Sequence, residues 1–167
     1  AENDALIVYC FGDPVLEAAR EISKVPVVGP GEASMHIAGM LSTRFSIVTV
    51  LPETVAGTRE RVNRTRVDRS ALASVRALGI PVLDLKKDPE RTVKATTEVA
   101  RLCVVEDGAE TIVLGCLGFA GLASRIEQGV QVPVIDPALA ALKTAESLAA
   151  IHWRHSPLSY PRPTSRK

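Results

Sequence analysis

Two short stretches of the sequence look like copies of each other. Each is an apolar run, typical of a buried strand, that ends in a cysteine, one further apolar residue and a glycine. The cysteines are Cys10 and Cys116, and a Val-Pro-Val signature follows at Val25 in the first copy and at Val132 in the second. Because the cysteines lie 106 positions apart and the signatures 107, the register holds to within one residue. We interpret the two stretches as facing strand–turn–helix units with one thiol each.

Short apolar runs separated by helix-like stretches continue along the whole chain. The predicted strands are 5–9, 25–28, 45–51, 72–75, 80–85, 111–114 and 132–135. Strands that alternate with helices predict βαβ units and a mostly parallel sheet. Ligands bind such sheets at the carboxyl ends of the strands, which is where Cys10 and Cys116 fall.

Three Asp-Pro pairs predict where helices begin, because Asp is a good N-cap and Pro is tolerated in the first turn. They are Asp13-Pro14, Asp88-Pro89 and Asp136-Pro137. The helix after Asp88 carries Cys103 in its apolar stripe, where a thiol behaves as a small hydrophobic group. We therefore expect Cys103 to be structural.

The charge and aromatic content exclude two classes of partner. Lys and Arg number 20 against 19 for Asp and Glu, so bulk charge favours neither nucleic acid nor a membrane surface. Only 4% of the residues are aromatic, which is too few for a base-stacking platform. No apolar run approaches the roughly 20 residues of a membrane span. The arginine-rich stretch 59–69 also contains acidic residues, and we interpret it as a solvated helical face.

The cysteines and histidines indicate neither a disulfide framework nor a metal site. The three cysteines form no CxxC pair, and an odd number favours a reducing cytoplasm. His36, His152 and His155 do not supply the ligand spacing of a zinc site.

Two thiols on opposite sides of one ligand suit proton transfer at carbon. One removes a proton beside a carbonyl and the other delivers a proton to the opposite face, which inverts the centre without metal or organic cofactor. A helix N-terminus would favour each thiolate. Gly12 and Gly118 would let backbone N–H groups approach the ligand and stabilise an enolate.

The residues around these thiols resemble the aspartate/glutamate/hydantoin racemase superfamily, most closely its hydantoin and allantoin racemase branch. The similarity covers nearly everything from Ala5 to about Ala150. It is carried by 10–14, 25–29, 31–36, 45–49, 77–82, 112–118, 121–123 and 132–136.

The resemblance implies an α/β fold of two pseudo-symmetric lobes, with mostly parallel sheets flanked by helices and the site between the lobes. We assign 1–30 and 136–154 to the first lobe and 31–135 to the second. Family members begin with two further βα units, so we expect the first lobe to be incomplete. The Pro- and Ser-rich stretch 155–167 predicts a disordered tail.

The resemblance also implies the roles of particular residues. Cys10 and Cys116 would be the two acid/base thiols, without a cofactor, acting on a small-molecule substrate in a homo-oligomer. Members usually carry Met where this chain has Phe119, which would alter the pocket for the substituent. Substrate contacts are implied for Phe11, Gly12, Leu117, Gly118 and Phe119, with Thr49 as an additional candidate at its strand end.

The sequence leaves three hypotheses of function open. The leading one is racemisation of a cyclic ureide, a 5-substituted hydantoin or allantoin. The second is racemisation of an amino acid of the Asp/Glu type or a related decarboxylation, although a decarboxylase needs only one thiol. The third is a truncated, non-catalytic remnant of the family.

Overall fold

A computed structural model of the chain describes residues 3–163. The strands are β1 (Leu6–Ile7), β2 (Val27–Val28), β3 (Phe45–Thr49), β4 (Leu72–Ala77), β5 (Thr111–Leu114) and β6 (Val134–Ile135). The helices are α1 (Leu16–Ile22), α2 (Pro30–Leu41), α3 (Thr54–Arg64), α4 (Pro89–Val105), α5 (Ala123–Val130) and α6 (Pro137–Ala150). Single turns of 3₁₀ helix lie at Arg69–Ala71, Val82–Asp84 and Leu117–Phe119.

The strands form two parallel sheets. In the smaller sheet β1 pairs with β2, and in the larger one the order is β4-β3-β5-β6. Helices connect the strands, as the alternating pattern requires of parallel neighbours. The predicted α/β class with parallel sheets flanked by helices is confirmed.

The larger sheet is covered on both faces, and every residue of β3 and β5 is buried. One face packs against α4 and α5 through an apolar cluster that contains Leu114, Phe119 and Ile126. The other face packs against α2, α3 and α6 through a cluster that contains Met35 and Phe45. Burying each of these large side chains contributes roughly 1.5–3 kcal/mol, so this sheet forms the main core.

Helices α2 and α6 join the two sheets. Met35 of α2 and Ala140 of α6 belong to the cluster on the larger sheet. Ala33 of α2 and Ala141 of α6 instead pack with Val28 of the smaller sheet. The two helices therefore hold the loops that follow β1 and β5 in fixed relation. The division of the chain into lobes at residues 31 and 136 stays a prediction.

The predicted strand over 80–85 is wrong. Val82–Asp84 is a 3₁₀ turn, and the neighbouring strand of the sheet is β4. Pro81 precedes the turn and has no N–H to donate to a strand ladder. The apolar run is explained by burial, since Leu85 is fully buried in the core.

The part of the tail that the structure describes, 155–163, makes specific contacts with the fold, and the disorder of 155–167 stays a prediction. His155 Nε2 accepts a hydrogen bond from Val27 N–H at 2.7 Å, and the rings of His155 and Tyr160 meet edge to face. Arg20 Nη1 donates to Tyr160 Oη at 3.2 Å. These contacts fasten the tail to β2 and α1. Amino-acid composition alone cannot predict contacts of this kind. The last four residues lie outside the described part.

Candidate active site

The first thiol lies in a tight turn after β1. Cys10 N–H donates to Val8 O at 2.6 Å, and Asp13 N–H donates to Cys10 O at 2.9 Å. Asp13 has a φ of 45°, in the left-handed region that few residues other than glycine adopt. The turn leaves the Cys10 side chain exposed.

Asp13 does not cap the helix that follows it in sequence, contrary to the prediction. Helix α1 begins only at Leu16, after Val15 in a left-handed conformation. The Asp13 carboxylate instead accepts hydrogen bonds from Gly31 N–H at 3.0 Å and Glu32 N–H at 2.7 Å. Asp13 therefore caps α2 and ties the Cys10 turn to that helix.

Burial raises the pKa of Asp13 to about 6. The bonds from Gly31 and Glu32 oppose that rise, as does the positive charge of Arg61, while the charge of Glu32 adds to it. Burial disfavours a charged carboxylate more than these two hydrogen bonds favour it.

The second thiol lies at the start of a single 3₁₀ turn after β5. Gly118 N–H donates to Cys116 Sγ at 3.3 Å, and Phe119 N–H donates to Cys116 O at 3.2 Å. Cys116 is half-buried, in contrast to the exposed Cys10. Helix α5 begins only at Ala123, so neither thiol lies at the first turn of an α-helix as the sequence predicts.

Burial raises the pKa of the Cys116 thiol, and the charge of Cys10 raises it further. The N–H of Gly118 acts in the opposite direction and is outweighed. Cys116 therefore holds its proton at neutral pH, whereas the expected helix N-terminus would have favoured the thiolate. Because the charge of Cys10 contributes to the raised pKa of Cys116, the two thiols lie near each other.

Arg61 of α3 also reaches this site. A Cβ built on Gly12 would lie 3.5 Å from Cys10 Sγ and 3.7 Å from Arg61 Nη2. Arg61 and Asp13 line a cavity of about 310 Å³. The sequence predicts a solvated face for Arg61, since nothing in the local sequence distinguishes it from the neighbouring arginines.

Backbone N–H groups near the thiols are available for a ligand. Among residues 3–163, the N–H groups of Phe11, Gly12 and Leu117 have no hydrogen-bond partner. Donors of this kind can stabilise negative charge on a bound carbonyl oxygen. These N–H groups could therefore bind substrate, but the predicted substrate contacts of the three residues stay predictions.

Phe119 and Thr49, also predicted to contact substrate, point into the protein. The Phe119 side chain is fully buried in the core, and its N–H is used in the turn. Thr49 is buried, and its hydroxyl lies 2.7 Å from that of Thr54. Thr54 donates its own proton to Leu51 O, so the Thr49 hydroxyl donates to Thr54. Both side chains therefore lie in the buried packing beneath the site.

The described residues contain neither a cluster of metal ligands nor a membrane-spanning helix. No group of three or more His, Cys, Asp and Glu side chains in 3–163 is arranged to hold a metal ion. In the same range, no helix is both long and apolar enough to cross a membrane.

Paired thiols in the loops that follow parallel strands of an α/β fold are the arrangement that the sequence resemblance implies for a racemase. Residues 1–145 match the family model described as Asp/Glu/Hydantoin racemase. The chain therefore belongs to the Asp/Glu/hydantoin racemase family, which confirms the resemblance and makes the protein an isomerase of the racemase class.

The relatives of this chain include hydantoin racemases and an allantoin racemase. The chain is 40% identical to a hydantoin racemase from Rhizobium meliloti, over 95% of this chain and 67% of the relative. It is 38% identical to a hydantoin racemase from Paenarthrobacter aurescens, over 98% and 70%. The solved structure of an allantoin racemase from Pseudomonas fluorescens superposes with a TM-score of 0.95 at 38% identity, over 100% of this chain and 71% of that one. The chain thus spans about two thirds of the length of these relatives.

Proposed function

We propose that this protein is a cofactor-independent racemase that inverts an enolisable carbon of a cyclic ureide, a 5-substituted hydantoin or allantoin. The observation that carries the proposal is the proximity of Cys10 and Cys116, each in the loop after a parallel strand. The similarity to hydantoin racemases and to an allantoin racemase supports this substrate class.

The two thiols divide the chemistry between them. In one direction Cys10 takes the proton from the carbon beside the carbonyl, and the electron pair moves into an enolate. Cys116, whose raised pKa keeps it protonated, then delivers its proton to the opposite face of that carbon. The free N–H groups of Gly12 and Leu117 stabilise the enolate oxygen. The reverse direction exchanges the two roles.

The test follows the optical activity of single enantiomers of 5-benzylhydantoin and of allantoin. We expect the wild-type protein to abolish the optical rotation, and Cys10→Ala and Cys116→Ala each to slow racemisation by about 10²–10⁴-fold. Cys103→Ala is the matched control, because this buried thiol lies near Ser46 at the amino end of β3 and belongs to neither cysteine loop. Near wild-type racemisation by either site variant would contradict the proposal. Activity on aspartate or glutamate instead would favour the hypothesis of an amino-acid racemase.

We also propose a cytoplasmic homo-oligomer. Large apolar side chains are exposed in α1 and α2, with Ile22 70% and Met40 76% accessible, and such surface favours association. The three cysteines are free, which suits a reducing compartment. Light scattering coupled to size-exclusion chromatography tests the assembly, and fractionation of the source cells tests the compartment.

A further inference from the structure

In the second copy one carboxylate fixes both the cysteine loop and the helix that follows β6. Asp136 is the N-cap of α6, and its Oδ1 accepts from Ala138 N–H at 2.8 Å and Leu139 N–H at 3.3 Å. Its Oδ2 accepts from Gly121 N–H at 2.7 Å, in the loop that carries Cys116. Asp136 therefore ties that loop to the start of α6.

In the first copy the cysteine loop and the following helix are linked by a carboxylate that belongs to the loop instead of the helix. The position that corresponds to Asp136 is Gly29, which has no side chain to cap α2. Asp13, from the Cys10 turn, bonds the N–H groups of Gly31 and Glu32 instead. These are the second and third residues after Gly29, as the bonded helical residues are after Asp136.

The Asp13 carboxyl group occupies the space that a capping side chain at position 29 would fill. A Cβ built on Gly29 would lie 2.5 Å from Asp13 Cγ and 2.7 Å from Leu16 Cδ2. The backbone at Gly29, with φ −96° and ψ 127°, would otherwise accept any residue. The loop position that corresponds to Asp13 in the second copy is Phe119, which lies in the core. Each copy thus has one carboxylate at this junction, placed on the loop in one and on the helix in the other.

We propose that Asp13 is a positioning residue for Cys10, whose carboxylate holds the thiol-bearing turn against the N-terminus of α2. The inference rests on the proposed function only for the role of Cys10 in turnover. Asp13 itself takes no proton from substrate. It acts through the geometry of the Cys10 turn, to which it is also joined by its own N–H bond to Cys10 O.

The charge state of Asp13 determines how well it holds the turn. The ionised carboxylate accepts from both N–H groups, whereas a protonated carboxyl group presents a hydroxyl to one of them and weakens the link. Because the pKa of Asp13 is raised to about 6, the link loosens as the pH falls through that value. The charged and titratable groups that share its cavity come from four segments of the chain. They are Arg61 and Arg64 on α3 with Arg66 just after it, Glu32 on α2, Glu17 and Arg20 on α1, and Tyr160 from the tail. Cys10 lies in the same turn as Asp13.

The first variant is Asp13→Asn, which keeps the size of the side chain but leaves one oxygen to accept two N–H groups. We expect kcat to fall by about tenfold or more, with a smaller change in KM, because a misplaced catalytic group slows the chemical step. The kcat–pH profile of the wild-type protein should show a decline below pH about 6, and Asp13→Asn should lack it. A decline that persists unchanged in Asp13→Asn would overturn the proposal.

Asp88→Asn is the matched control. Asp88 caps α4 by accepting from Arg91 N–H at 3.0 Å, but it holds neither cysteine loop. The same chemical change there should leave Tm nearly unchanged, because Asn caps a helix about as well as Asp, and should leave kcat and its pH profile as in the wild-type protein. Equal losses of kcat in the two variants would show that the effect does not depend on the link to the Cys10 turn, and would overturn the proposal.

The double variant Asp13→Ala with Gly29→Asp separates capping from positioning. It removes the Asp13 carboxyl group from position 29 and places an N-cap aspartate there, as in the second copy. The end of the Leu16 side chain, 2.7 Å from the new Cβ, must shift to make room. We expect Tm to recover relative to Asp13→Ala, because the Gly31 and Glu32 N–H groups regain an acceptor. We expect kcat to stay low, because the acceptor no longer belongs to the Cys10 turn. Recovery of kcat together with Tm would overturn the proposal.

Alkylation of Cys10 by iodoacetamide, followed by mass spectrometry of its peptide, tests the link without any substrate. The thiol of the double variant should react severalfold faster than that of the wild-type protein, because its turn is released, while Cys103 should be unaffected. Equal Cys10 rates would overturn the positioning role. A wild-type protein that racemises neither substrate, but shows the faster alkylation on mutation, would reject the proposed function and keep the role of Asp13.

Discussion

Gly118 N–H donates to Cys116 Sγ at 3.3 Å, whereas the corresponding Gly12 N–H makes no such bond to Cys10 within residues 3–163. Cys116 is half-buried with a raised pKa, and Cys10 is exposed. The two copies that look alike in sequence therefore present their thiols in different surroundings. One consequence is a difference in reactivity.

Iodoacetamide at neutral pH should modify Cys10 first, Cys116 more slowly and Cys103 last in the native wild-type protein. The thiolate is the reactive form. A raised pKa lowers the amount of thiolate at Cys116 and Cys103, and burial limits the access of the reagent to both. Peptide mass spectrometry over a time course gives the three rates. Faster modification of Cys116 than of Cys10 would contradict the structure of the site, and unfolded protein provides the control in which the three rates converge.

Gly118→Ala should destabilise the protein and disturb Cys116. The added Cβ would lie 2.6 Å from Leu85 Cδ1 and 3.4 Å from Cys116 Sγ, and Leu85 is fully buried. Overpacking of this kind costs about 1–3 kcal/mol of unfolding free energy, measured by urea denaturation. Gly57→Ala in α3 is the control, because nothing lies within 4 Å of its Cβ position. That change should leave stability equal or raise it, and a similar loss in both variants would contradict the packing around Gly118.

Cys103→Ala should cost about 1 kcal/mol of unfolding free energy, because it leaves only a small cavity. Cys103 is fully buried, and burial raises its thiol pKa, so it takes no part in proton transfer. Racemisation by the folded variant should match that of the wild-type protein. Loss of turnover without loss of structure would show that the wrong thiols are assigned.

Asp107→Asn should destabilise the protein at neutral pH and much less in acid. Arg76 Nε donates to Asp107 Oδ2 at 2.7 Å, and this pairing lowers the pKa of Asp107 to about 2. A lowered pKa stabilises the folded state above the usual value of 3.8, and that stability is lost as the pH falls toward about 2. We expect a difference of about 1–2 kcal/mol at neutral pH after solvent screening. Urea denaturation as a function of pH measures it, and a difference that does not vary with pH would contradict the ion pair.

Local signals in the sequence predict much of the fold. The Asp-Pro pairs at Asp88 and Asp136 do begin α4 and α6, because the carboxylate and the helix it caps are neighbours in sequence. The buried strands β3 and β5 also follow from their apolar runs. The pairing of the two cysteine motifs follows from their common spacing.

The same signals fail where a side chain acts on a distant segment. Asp13 has the sequence of a cap for the next helix, but its carboxylate reaches residues 31 and 32 through the fold. Arg61 looks like its arginine neighbours until α3 places it beside the Cys10 turn. The raised pKa of Cys116 comes from burial, which depends on packing that no local pattern encodes.

Cys10 and Cys116 should act on opposite faces of one carbon. Proton NMR in D₂O, with each pure enantiomer of 5-benzylhydantoin, measures exchange of the C5 proton by Cys10→Ala and by Cys116→Ala. Each variant should fail to racemise yet still exchange the proton of one enantiomer, and the two variants should exchange opposite enantiomers. Exchange of the same enantiomer by both variants, or racemisation by either at close to the wild-type rate, would contradict the two-thiol account.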